Sequence, residues 1–145
     1  MIRAVTRFAG LRPEQRRLEL RAAVALLAAR NGLRLAPLSA VAMLLGVRVG
    51  VSRPDGPRLP FADSRADAAV SVVDRLVERL PRRTRCIHRA LLLGHLLRSE
   101  RPYIRIGVRR IDGEVQAHAW VEIRGLVVAE PDPLGLSTFS TLARP

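Results

Sequence analysis

Apolar residues recur along this chain in two different rhythms. From Pro13 to Ala29 they fall at Leu18, Ala22, Ala25 and Leu26, the three-and-four spacing of one helical face. Pro13 suits a first helical turn, and Asn31-Gly32 is the expected stop. A short second helix is predicted from Pro37 to Leu45, before Gly46. Val51-Ser52-Arg53-Pro54-Asp55-Gly56-Pro57 reads as a surface loop. A third helix, from Asp63 or Ser64 to Leu80, carries Val70, Val73, Val77 and Leu80 on one stripe and stops at Pro81. A fourth follows, with Thr84 as the expected cap and Cys86 in its first turn. Beyond Pro102 the period becomes two. Ile104, Ile106 and Val108 alternate with Arg105, Gly107 and Arg109, and Asp112-Gly113 turns the chain. Val115, Ala117, Ala119, Val121 and Ile123 then alternate with Gln116, His118, Trp120 and Glu122. Arg124-Gly125 leads into a last strand, Leu126 to Ala129. Helices first and an antiparallel meander after predict an α+β fold.

Composition narrows this picture. The chain has 145 residues, 48% of them hydrophobic, enough for one globular domain with a real core. Within it, residues 1-53 read as a basic helical N-terminal region and residues 61-145 as the core. Five aromatics, Phe8, Phe61, Tyr103, Trp120 and Phe139, argue against base-stacking nucleic-acid readers, which need rows of exposed rings. The net charge of +12 comes entirely from arginine among the basic residues. Such exclusive use fits codon bias, so the charge does not imply a nucleic-acid partner. Up to Arg53, ten arginines face only Glu14 and Glu19, and an acidic peptide or protein is the expected partner of that half. The longest uncharged stretch, Leu35 to Val47, falls short of the ~20 residues that cross a bilayer. With no compact apolar signal core, a cytoplasmic protein without a membrane span is expected. A single cysteine, Cys86, excludes an internal disulfide and a cysteine-cluster metal site, and no Gly-x-x-x-x-Gly-Lys phosphate loop is present. Neither metal nor cofactor is expected.

Candidate chemistry gathers around that cysteine. A helix N-terminus favours thiolate over thiol, although the spacing of Cys86 with Ala90, Leu93 and Leu97 equally suits a buried core thiol. His118 lies in a strand on the polar face, and a nucleophilic cysteine needs an imidazole to take its proton and return it to the leaving amine. The imidazole needs a further group to fix its tautomer, expected to accept from Nδ1-H. Glu122 is four residues along the same strand, roughly 13 Å away. Glu130 and Asp132 follow a tight turn that brings them back beside His118, and either can serve. His88 and His95 lie on the helix face opposite Cys86.

The string Cys86-Ile87-x-Arg89-Ala90-Leu91-x-Leu93, then Ile106-Gly107-Val108, then Ala117-His118-Ala119-Trp120-Val121-Glu122, resembles the lasso-peptide leader peptidases of the transglutaminase-like superfamily. The resemblance implies a papain/transglutaminase-like core, with the nucleophile at a helix N-terminus packed on an antiparallel sheet. It implies Cys86 as nucleophile, His118 as general base, and an acid at Glu130, with Asp132 the second choice because the superfamily usually has Asp followed by Pro. Trp120 is then a candidate to line the substrate cleft or shield the imidazole, and the Cys86 backbone N-H a candidate oxyanion donor. The implied activity is removal of the leader from a ribosomally made precursor peptide. The implied partners are a separate small leader-recognition protein and the ATP-dependent macrolactam synthetase that takes the freed amine. Two other readings share these residues: an acyltransferase with the same triad, and a non-catalytic basic module binding an acidic peptide or RNA, in which Cys86 is only core.

Overall fold

A computed structural model describes residues 12–50, 60–61, 63–112, 114–130 and 140–141. Helix α1 (Pro13–Leu35) opens with Pro13 at its first position, and Gln15 Oε1 accepts the Arg12 backbone N–H at 3.2 Å. Its inward face is small: Ala22, Ala25 and Ala29 are buried, which lets α1 lie close on its neighbours. The expected stop at Asn31-Gly32 is not one, because α1 runs on to Leu35. Gly32 serves packing instead. A Cβ there would sit 3.0 Å from Val41 Cγ2, on helix α2 (Leu38–Leu44).

Strand β1 (Arg48–Val49) and strand β2 (Pro60–Phe61) flank residues 51–59, where the predicted loop lies outside the described residues. Helix α3 (Ser64–Val77) is capped by Asp63, whose carboxylate accepts the Arg65 N–H at 2.7 Å. It ends at Val77, three residues before the expected Leu80. Helix α4 (Arg82–Leu96) is the hub, with Leu91, Leu92 and Leu93 all at 0% exposure. Burying each such leucine contributes about 1.5–3 kcal/mol. Gly94 is required where Val47 crosses α4, since a Cβ would lie 2.7 Å from Val47 Cγ1.

After a 3₁₀ turn (Arg98–Glu100) come strand β3 (Tyr103–Ile111), strand β4 (Glu114–Ile123), strand β5 (Leu126–Val128) and the short strand β6 (Ser140–Thr141). β3 and β4 pair antiparallel from Tyr103 opposite Glu122 to Ile111 opposite Glu114; of the expected Asp112-Gly113 turn, Asp112 stands at φ 49° and Gly113 lies outside the described residues. Arg124 and Gly125, at φ 54° and 82°, make the next tight turn. The sheet order is β1-β3-β4-β5-β2, with β6 also on β3. The fold is α+β, but the sheet is mixed, because β1 and β2 add parallel strands to β3 and β5. The alternating polar face of β4 is not a solvent face either. Ala119 through Ile123 are all buried, Trp120 and Glu122 among them. Among the described residues, no helix is long and apolar enough to cross a membrane.

Candidate active site

The turn from α3 into α4 is fastened by Arg85, whose Nε donates to the Leu80 carbonyl at 2.8 Å and whose Nη2 donates to the Glu78 carbonyl. Both carbonyls lie past the last residue of α3, and holding them ties that turn to the first residues of α4. Pro81 is the N-cap, and Thr84 Oγ1 donates back to its carbonyl at 3.2 Å. Thr84 is therefore the third helical residue rather than the cap, and Cys86 the fifth.

Cys86 is half-buried against the hydrophobic core. Its thiol pKa is set by opposing effects. Burial pushes it up, and hydrogen bonds from His118, from the Ala119 backbone and from the Ile87 backbone, together with the charge of His118, pull it below the ordinary 9.0. The imidazole of His118 moves the other way, up to about 9. Its hydrogen bond with Cys86 contributes most, then the hydrogen bond with Glu130, while burial opposes both. Both shifts run toward a thiolate beside an imidazolium.

His118 stands opposite Gly107 on β3, so the neighbouring position on that face carries no side chain. Beyond Val128 the chain leaves the sheet through Ala129 at φ 47°, and Glu130 swings to the imidazole. Glu130 Oε2 lies 3.0 Å from His118 Nε2, and the carboxylate is 7% exposed. The acid thus grips Nε2 rather than the expected Nδ1, which leaves Nδ1 for the sulfur. Asp132 lies outside the described residues.

Trp120 does not line a cleft. It is 1% exposed, its ring is stacked on His118 at 6.1 Å and 16°, and its Nε1–H donates to Glu122 Oε1 at 2.9 Å. A residue so enclosed offers no surface to a substrate. His88 and His95 stay apart from the site: His88 Nδ1 bonds the Thr84 carbonyl at 2.7 Å and His95 Nδ1 the Leu45 carbonyl at 2.9 Å. A cavity of about 380 Å³ bordered by Leu18, Arg21, Phe61, Asp63 and Arg65 includes none of Cys86, His118 and Glu130. Among the described residues, no group of three His, Cys, Asp or Glu side chains is placed to hold a metal ion.

One polar residue of the site was not singled out by sequence. Arg89 Nη1 donates to Glu130 Oε1 at 2.9 Å, Nη2 to the Ala129 carbonyl at 2.8 Å, and Nε to Asp74 Oδ1 at 2.7 Å. The Cys-x-x-Arg spacing, which puts both side chains on one helix face, was the available signal.

The profile of the transglutaminase-like superfamily matches residues 2–144. The chain belongs to that superfamily. No curated protein and no solved structure matches it significantly. Membership suggests a cysteine peptidase or acyltransferase type of chemistry.

Proposed function

We propose that this protein is a cysteine peptidase that removes the leader from a ribosomally synthesised lasso-peptide precursor, with Cys86 as nucleophile, His118 as general acid and base, and Glu130 as the residue that orients His118. The observation that carries the reading is the imidazole of His118, held between the Cys86 sulfur and the Glu130 carboxylate with its pKa raised to about 9. Attack of the Cys86 thiolate on the scissile carbonyl forms the C–S bond. Collapse of the tetrahedral adduct breaks the C–N bond as the His118 imidazolium gives its proton to the leaving amine, which is the new N-terminus of the core peptide. Water, deprotonated by the now neutral His118, hydrolyses the thioester and frees the leader with a C-terminal carboxylate. The core peptide then passes to an ATP-dependent macrolactam synthetase.

Leader recognition falls to a separate small protein. What supports a protein partner is the outward face of α1, where Leu20, Val24 and Leu27 are about 60% exposed between Arg17, Arg30 and Arg34. An apolar stripe edged with arginine suits an acidic surface with an apolar centre.

The test is mass spectrometry of a lasso precursor incubated with the protein, with and without a leader-recognition protein. Expected are a single cut at the leader boundary, acceleration by the recognition protein, and no product from Cys86→Ala or His118→Ala. Turnover by Cys86→Ala overturns the reading. Transfer of the acyl group to an added amine in preference to water replaces the peptidase with an acyltransferase.

A further inference from the structure

Arg89 sits one helical turn after Cys86, with a side chain 18% exposed, and its three hydrogen bonds run to two separate segments, α3 and the stretch that follows β5. Asp74 anchors the guanidinium to α3. The Glu130 carboxylate receives Nη1 on Oε1, so that only Oε2 faces His118. The Ala129 carbonyl receives Nη2, at the residue whose φ of 47° bends the chain off β5. A non-glycine residue in the left-handed region is strained and persists only where its surroundings hold it. Glutamate adds a further difficulty. With one more rotatable bond than aspartate, it loses more rotamer freedom when its carboxylate is fixed.

We propose that Arg89 is the positioning residue of this site: by occupying Oε1 of Glu130 and bracing the bend at Ala129, it aims Oε2 at His118 Nε2 and so maintains the Cys86–His118 pair. The proposal rests on the catalytic reading of Cys86, His118 and Glu130. Arg89 acts through Glu130 and touches neither the sulfur nor the imidazole among its hydrogen bonds. The planar fork matters as much as the charge, because a single ammonium cannot reach a carboxylate, a carbonyl and Asp74 in those three directions.

Charge and position give opposite signs, which makes the proposal testable. If Arg89 were only a nearby cation, Arg89→Gln would remove a charge that repels the imidazolium, and His118 would bind its proton more tightly. If Arg89 aims Glu130, the same variant frees the carboxylate, and His118 binds its proton more weakly. Arg89→Lys, which keeps the charge, separates the two again.

The experiment follows His118 by imidazole NMR and Cys86 by its rate of alkylation with iodoacetamide across pH, neither of which needs a peptide substrate. In Arg89→Gln the His118 midpoint is expected to fall from about 9 toward 6.5. The Cys86 midpoint is expected to rise by a unit or so, about a tenfold loss of thiolate at neutral pH. Arg89→Lys should move both midpoints the same way by less, and it carries the test alone if Arg89→Gln does not fold. Adding Arg89→Gln to Glu130→Gln should move neither midpoint further, since the two side chains act as a unit. Unchanged midpoints in both arginine variants, a His118 midpoint that rises in Arg89→Gln, or additive shifts in the double variant overturn the proposal. An unaltered protein whose His118 titrates near 6.5 and whose thiol is ordinary overturns instead the catalytic reading on which the proposal rests.

Discussion

His118 and Trp120 stand two residues apart on β4 with their rings stacked, and each ring is held by a carboxylate that is itself held by an arginine. Glu130 gives Oε2 to His118 and Oε1 to Arg89, while Glu122 gives Oε1 to Trp120 and Oε2 to Arg105 at 2.9 Å. The bonding plan is the same twice. The difference lies in the ring and in what reaches its far side. An indole only donates and does not titrate near neutral pH, and this one is 1% exposed. The imidazole titrates, keeps 29% of its side chain exposed, and has the Cys86 sulfur as its second partner. One plan therefore locks β3 to β4, and the other, on the proposed reading, moves a proton.

The sharpest way to break this comparison is to neutralise each glutamate in turn. Glu122→Gln leaves Arg105 buried without its countercharge, which costs about 3 kcal/mol. Thermal unfolding should show that loss, while the alkylation midpoint of Cys86 in the folded protein stays where it was. Glu130→Gln should also lower melting, because Arg89 and His118 lose a buried countercharge, but it alone should move the Cys86 midpoint and cost about 10² or more in leader cleavage, as in other triads. Asp132→Asn, at the alternative acid, should cost far less. A loss of cleavage from Asp132→Asn that exceeds the loss from Glu130→Gln would transfer the acid's role to Asp132.

The titratable cluster also predicts a pH dependence that the other cannot give. Thiolate attack requires Cys86 deprotonated, so cleavage rises as pH climbs through the lowered thiol pKa. Protonation of the leaving amine requires imidazolium, so cleavage falls as pH passes about 9. Alkylation needs only the thiolate, and its rate should rise with cleavage but not fall with it. An alkaline limb that falls near 6.5 instead of about 9 would mean that Glu130 and Cys86 do not hold the proton on His118.

Much of the frame was legible because long elements repeat their pattern. The helices around Leu18, Val73 and Leu92 and the two tight turns of the meander follow from spacing and turn chemistry alone. β1 and β2 were not legible, because two-residue strands have no period to read. Asn31-Gly32 looked like a stop because sequence shows a glycine's freedom and hides its fit, here against Val41. In the site, Cys86 and His118 stand out as chemical types, and Glu130 is brought near by counting from a turn. Arg89 stood in the quoted Cys86-Ile87-x-Arg89 string without a role, since spacing puts it on the face of Cys86 but does not show which carboxylate, from a segment 41 residues later, its guanidinium holds.

Replacing the inert ring tests whether the stacking between the two clusters couples them. Trp120→Phe removes the Nε1–H bond to Glu122 Oε1 but leaves Glu122 paired with Arg105 and keeps an aromatic face toward His118. Losing a buried hydrogen bond to a charged acceptor costs about 1.5–3 kcal/mol, with a smaller addition for the space the indole leaves. Melting should therefore fall by several degrees, roughly 2–4 °C for each kcal/mol in a chain of this size. The Cys86 alkylation midpoint should not move, because no charge near the sulfur changes and His118 keeps its bond to Glu130. A midpoint shift as large as that of Arg89→Gln would show that the Trp120 cluster sets the orientation of the imidazole, and the division of the two clusters into one structural and one chemical would fail.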